Sequence, residues 1–280
     1  MIGRILVVLS GTPYAETATR TAIELAERRN AEITGVTLVN TAHLRNVGPV
    51  PIGASTLADE LRHHRETMTH SLVDECVDHF RAECDKARIR YGVLHEERDR
   101  PFDYVISQAR YHDLVLFGLR GIFEFGMTGE VDYEPSLVLI RLLTEGVRPI
   151  IAVNRQYRSV RRVFIAYSGS IASAKTMKLF MQLRLWTDME ICITTFGDDT
   201  DRCHRLLSHA AEYCRAHGAL PETRHIAEDP KHHLLAAAQE WNADLIVMGN
   251  SERTLMLRRM LGETMLQTVR TADRPLFLSQ

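Results

Sequence analysis

Two glycines thirteen residues apart, Gly249 and Gly262, bracket Arg253, Arg258 and Arg259. These residue types at this spacing suit an anion. Gly249 lacks a Cβ, so backbone can approach a ligand closely there. Gly262 stands where a helix would open, and the free N–H groups and positive dipole end of a helix favour a phosphate. The arginines offer charge-assisted hydrogen bonds to the same group. Earlier in the chain, Gly118-Leu-Arg-Gly121 opens a similar segment, but Glu124, Glu130, Asp132 and Glu134 then face the single Arg120. Gly129-Glu130 does not lead directly into a helix there, because Pro135 is the better start. A polyanion has little reason to bind this first segment, which reads as a structural partner.

Both segments sit in the same place within a duplicated sequence. Asp113-Leu-Val-Leu-Phe-Gly118 returns as Asp244-Leu-Ile-Val-Met-Gly249, and Arg148-Pro-Ile-Ile-Ala-Val153 as Arg274-Pro-Leu-Phe-Leu-Ser279. The openings Ile5–Thr12 and Val163–Ser170 also match. Similarity over spans this long marks two copies of one domain rather than a solenoid of short repeats. Residues 1–154 and 155–280 are the expected domains, joined by a polar, basic linker at Asn154–Arg162.

Within each copy, apolar runs alternate with stretches of helical period. Strands are expected at Arg4–Leu9, Glu32–Val39, Arg88–Leu94, Asp113–Phe117 and Pro149–Val153. The second copy repeats them at Val163–Tyr167, Glu190–Phe196, Glu222–Ala227, Asp244–Met248 and Pro275–Ser279. Helices are expected at about 13–29, 56–86, 101–111, 135–145, 172–185, 200–217, 229–241 and 262–271. Near-continuous apolar strands alternating with helices give an α/β fold with an open parallel sheet of five strands in each copy. Ligands of such sheets bind beyond the carboxyl ends of the strands, where the strand order reverses.

The copies differ in length between their second and third strands. Residues 41–54 of the first carry two prolines and two glycines and read as a shaped loop, for inter-domain packing ahead of a lid. The helix after it places Leu57, Leu61, Met68, Leu72, Val73, Val77 and Phe80 at helical intervals.

Composition narrows the function classes. A hydrophobic share of 45% and a charged share of 25% are those of a globular protein. The net charge of -2 supplies no overall field toward nucleic acid or anionic membrane. The apolar run Ile5–Leu9 is shorter than the roughly 7–15 residues of a secretory signal or the roughly 20 of a membrane span. A soluble, cytoplasmic protein is expected. Five cysteines without C-x-x-C spacing read as reduced thiols, with Cys76 and Cys84 buried on one helix face.

Other candidate groups read as structural. Ser10-Gly-Thr12 and Ser168-Gly-Ser170 resemble the start of a phosphate loop but lack its second glycine, so helix capping is the better reading. His95 and His225 read as polar residues ending equivalent third strands. His63-His64 and His232-His233 are adjacent pairs, which point to different helix faces. No metal set, nucleophilic triad, G-x-G-x-x-G or G-x-x-x-x-G-K-[S/T] is present. No enzyme activity is expected.

Taken together, the duplicated β/α order and the glycine segment resemble the universal stress protein family in a tandem, two-domain form. That resemblance implies Rossmann-like domains of the HUP type and pairing of the two final strands across the copies. It also implies a stress-associated binding protein, with ATP as the cofactor and magnesium accompanying it if bound. The family pattern G-x-x-G, about nine residues, then G-[S/T] falls on Gly249, Glu252, Gly262 and Glu263, with Thr264 one residue on. Carried over, Gly249, Asn250, Arg253, Gly262 and Thr264 would contact phosphates beside Met248, while Ser168, Ser170 and Thr195 would border the nucleoside. Ser168 stands where the family commonly has an acid, and Glu252 and Glu263 depart from the pattern. A nucleotide-free scaffold and a slow ATP hydrolase stay open as alternatives, as do a homodimer and a protein or small-molecule partner. Neither nucleic acid nor a membrane span is expected.

Overall fold

The computed structural model describes residues 2–48, 50–51, 53–99, 101–119, 142, 149–249 and 263–279. In the first copy β1 (Arg4–Leu9), α1 (Pro13–Arg29), β2 (Glu32–Asn40), α2 (Thr41–Arg45), α3 (Ser55–Lys86), β3 (Tyr91–Arg98), α4 (Pro101–Ala109), β4 (Leu114–Gly118) and β5 (Ile150–Val153) follow in order. In the second, β6 (Arg162–Ala166), α5 (Ile171–Leu183), β7 (Glu190–Phe196), α6 (Thr200–Ala216), β8 (Glu222–Ile226), α7 (Pro230–Glu240), β9 (Leu245–Gly249), α8 (Glu263–Thr271) and β10 (Leu276–Ser279) repeat the pattern. Of the expected helix at 135–145 only Leu142 is described, helical and buried, and the rest lies outside the described residues.

All ten strands form one sheet, ordered β3-β2-β1-β4-β5-β10-β9-β6-β7-β8. Neighbours are parallel except at the centre, where β5 and β10 run antiparallel with Phe277 opposite Ile151. The final strands therefore pair across the copies as the resemblance implies. Every residue of β5 and β10 is buried. Each would otherwise be an apolar sheet edge. One core layer packs α1, α3, α5 and α6 against one face, with Phe80, Phe180 and Phe277 among its buried residues. Another buries Phe117, Phe164 and Trp241 on the opposite face.

The linker adds polar ties between copies. Glu24 of α1 accepts hydrogen bonds from Tyr157 Oη at 2.9 Å and Trp186 Nε1 at 3.2 Å. Arg20 stacks over the Tyr157 ring at 3.9 Å. Burial, reinforced by Glu24, pushes the Tyr157 phenol up to about 12.

Four sequence expectations change. The third strand runs Tyr91–Arg98 rather than 88–94. Arg88 adopts φ +54° as α3 closes, which delays the strand. Because β3 is a sheet edge, it continues through the charged residues Glu96, Glu97 and Arg98 instead of an apolar run. His95 consequently lies inside the strand, bonded to Thr37 Oγ1 at 2.8 Å and Glu97 Oε1 at 2.9 Å. The 41–54 loop begins as α2 and packs within its own copy, since Arg62 and Arg65 donate to the Arg45 and Asn46 carbonyls at 3.3 and 3.0 Å. Finally, Leu57, Leu61, Met68 and Leu72 of α3 are exposed, while Val73, Val77 and Phe80 are buried.

Candidate functional site

Strand order reverses between β6 and β9, which pair side by side with Ala166 opposite Met248. Beyond their carboxyl ends lies the crevice where open α/β sheets take ligands. Ser168, Gly169 and Ser170 connect β6 to α5, and Gly169 takes φ +73°, a left-handed turn that brings both serines to the helix start. Ser170 is the N-cap, its Oγ accepting from Ser173 N at 3.2 Å. Ser168 Oγ lies 3.0 Å from Ser170 Oγ and 3.2 Å from Ser173 Oγ. Three hydroxyls thus cluster at a helix N-terminus. Reorienting their protons would present donors to an anion without moving the backbone.

Thr195 sits one strand over, at the end of β7. It is buried, and its Oγ1 donates to the Tyr167 carbonyl at 2.9 Å, tying the ends of β6 and β7 together. On the other side Gly249 ends β9, opposite Ser279 of β10. A Cβ on Gly249 would lie 2.5 Å from Ala172 O and 2.7 Å from Ser173 N. The missing side chain makes room for the first turn of α5, a packing reason that the sequence did not disclose. At Gly118 in the first copy a Cβ would instead meet the side chain of Tyr14 on α1. Met248 is buried in the core rather than turned outward.

Thr264 stands half-buried in the first turn of α8, its carbonyl accepting from Thr268 Oγ1 at 2.7 Å. Glu263 beside it pairs with Lys231 Nζ of α7 at 3.2 Å. Lys231 was missed in the sequence because its partner lies 32 positions away. The lysine offsets a carboxylate that would repel a phosphate at this helix start. Asn250, Arg253 and Gly262 lie outside the described residues. Ser168, Ser170, Thr195 and Gly249 are thus brought to one edge of three neighbouring strands, with Thr264 at the start of the helix leading to β10.

The corresponding edge of the first copy differs. Thr12 holds the N-cap position of α1, but its hydroxyl bonds Ser10 Oγ at 3.0 Å instead of capping the helix. Both residues are buried. A cavity of about 320 Å³ beside them is lined by Glu16, Glu75, Cys76 and His79. Two carboxylates there oppose an anionic ligand. Cys76 donates weakly to the Ser10 carbonyl, and burial pushes its thiol up to about 11. Among the described residues, no group of three or more His, Cys, Asp or Glu side chains could hold a metal ion.

Two Rossmann-like copies sharing one sheet, each with a switch point in its strand order, define a tandem α/β protein. The chain belongs to the universal stress protein family, whose pattern matches residues 1–121 and 193–279. A universal stress protein from Archaeoglobus fulgidus superposes with a TM-score of 0.70 at 18% identity, covering 99% of this chain and 98% of that one. A putative universal stress protein from Pseudomonas aeruginosa does so with a TM-score of 0.58 at 13% identity, covering 99% and 93%. A universal stress protein solved in complex with cAMP aligns with 44% of this chain and 98% of its own, at 22% identity and a TM-score of 0.39. None of the curated proteins compared matches the chain. Among the described residues, no helix is long and apolar enough to cross a membrane.

Proposed function

We propose that the protein is a stress-associated, non-enzymatic binding protein that holds ATP or another adenine nucleotide in its C-terminal copy. The observation that carries this reading is the hydroxyl cluster Ser168–Ser170–Ser173 at the start of α5, beside Gly249 at the switch point. Family membership supports the ligand class. The phosphates would lie toward Thr264 and the segment holding Asn250, Arg253 and Gly262, with Lys231 compensating Glu263 and magnesium accompanying the nucleotide. The first copy would act as a structural partner, its acidic cavity being unsuited to phosphates.

Calorimetric titration of ATP, with and without magnesium, into nucleotide-stripped protein tests the reading. One site of micromolar affinity is expected, lost in Gly262→Val while the far-ultraviolet dichroism stays unchanged. Retained affinity in that variant would refute the assignment, and two sites would refute the role given to the first copy. Absence of binding would favour a nucleotide-free scaffold. That second reading draws support from the hydroxyls' internal pairing and from Thr195, whose hydroxyl is already engaged. Phosphate release above a buffer control would instead identify a hydrolase.

A further inference from the structure

Among the described residues the longest helix carries an apolar strip that stays largely exposed. Helix α3 has 32 residues, whereas its counterpart α6 has 17. The added length falls on a half that packs almost nothing: between Ser55 and Met68 only Ala58 is buried. Helical stability in proteins comes mostly from tertiary packing of one face, so a half-helix without it lacks its main support. Leu57, Leu61, Met68 and Leu72 are exposed by 67%, 40%, 51% and 40%. At 100° per residue they fall within about 60° of arc, forming one continuous strip roughly 22 Å long.

The spacing of that strip is its own mirror image. Intervals of four, seven and four residues are symmetric about the point between His64 and Arg65. A two-fold axis through that point sets an identical helix antiparallel, with Leu57 against the partner's Leu72 and Leu61 against the partner's Met68. An isologous contact requires such a self-complementary patch. The charges allow it. Residues 55–72 carry Asp59, Glu60 and Glu66 against Arg62 and Arg65, close to neutral. Both arginines are turned onto the 41–54 segment, where they donate to the Arg45 and Asn46 carbonyls. A helix adapted to a lipid surface would be rich in lysine and arginine on its polar face, and this one is not.

We infer that two copies of the chain associate through antiparallel packing of their α3 helices. This does not rest on the nucleotide reading. The strip is smaller than the ~800 Å² per side of a standard interface, so the pairing is weak, with a dissociation constant on the order of 10 μM.

Sedimentation velocity across a concentration series tests it directly. The mass should pass from 31.9 kDa to twice that value as concentration rises. The double variant Leu61→Glu/Met68→Glu should weaken association at least about tenfold, with dichroism unchanged, because it buries four carboxylates in one contact. A short bifunctional maleimide should join His64→Cys chains and leave Leu57→Cys chains apart, since the latter sites lie about 22 Å apart along the antiparallel pair. A monomer at all concentrations would overturn the inference, as would a dimer indifferent to the glutamates or cross-linking equally at position 57. Flotation with phosphatidylcholine vesicles that the double variant abolishes would overturn it too, by naming a lipid surface as the occupant.

Discussion

Replacing Gly249 by alanine separates two roles that one glycine could serve. If the position is kept open for a ligand, the added methyl should abolish nucleotide binding and leave the apo-protein as stable as before. The geometry favours the other outcome. The new Cβ would stand 2.5 Å from Ala172 O, 2.6 Å from Ala172 C and 2.7 Å from Ser173 N, all backbone atoms of the first turn of α5. Ordinary contact begins near 3.4 Å, so helix or strand must yield by most of an ångström. A flexible side chain could swing away at small cost, but a capped helix turn and a strand hydrogen-bonded on both sides cannot. Overpacking of this kind costs about 1–3 kcal/mol, and the upper half of that range applies here. With a urea slope of about 3 kcal/mol/M, the unfolding midpoint should fall by roughly 0.7–1 M. Gly92→Ala is the control, because nothing lies within 4 Å of a Cβ there; it should leave the midpoint unchanged or raise it slightly. Urea titration followed by tryptophan fluorescence reads all three proteins. An unchanged midpoint in Gly249→Ala would refute the packing argument, whatever its effect on nucleotide.

Glu24→Ala should cost about 2–3 kcal/mol in the same titration, since it strips a charged acceptor from buried Trp186 and from Tyr157 together. Burial pushes the thiols of Cys76 and Cys214 up to about 11 and that of Cys84 up to about 12, so in the native protein they should resist a disulfide reagent at pH 8 and react promptly in urea. His112 is buried between Thr34 Oγ1 and the Gln108 carbonyl, and burial holds its pKa below the ordinary value of about 6.5. Its contribution to stability is complete above that value and is lost as pH falls through the folded pKa. Denaturation from pH 7.5 to 5 should show that decline, reduced in His112→Gln.

Strand positions were legible where both faces of the sheet are covered, because burial on two sides leaves an unbroken apolar run. Glu190–Phe196 and Arg4–Leu9 were readable for this reason. The edge strand β3 was not, since its charged second half carries the composition of a loop. On α3, helical spacing correctly indicated a helix but could not say which apolar residues meet the body, because two faces of one helix can both repeat every three or four residues. That Ser168, Ser170 and Gly249 share one edge of the sheet was readable from their place at the ends of β6 and β9. Lys231 and the packing role of Gly249 were not, as both depend on contacts between segments far apart in the chain.

The antiparallel junction also explains why the two copies could diverge. Every strand of the second copy runs opposite to those of the first, because each set is parallel within itself and only β5 and β10 reverse. The carboxyl ends of β1 and β4 therefore open on one edge of the sheet, and those of β6 and β9 on the other. Glu16 and Glu75, which line the first crevice, stand at the far edge from Ser168 and Ser170. What the copies must keep in common is the junction itself, four buried residues on each strand with Asn154 reaching across to the Asp273 carbonyl. A substitution in that shared seam acts on both copies, whereas one in a crevice acts on its own copy alone. A change confined to one crevice then leaves the core and the crevice of the other copy untouched.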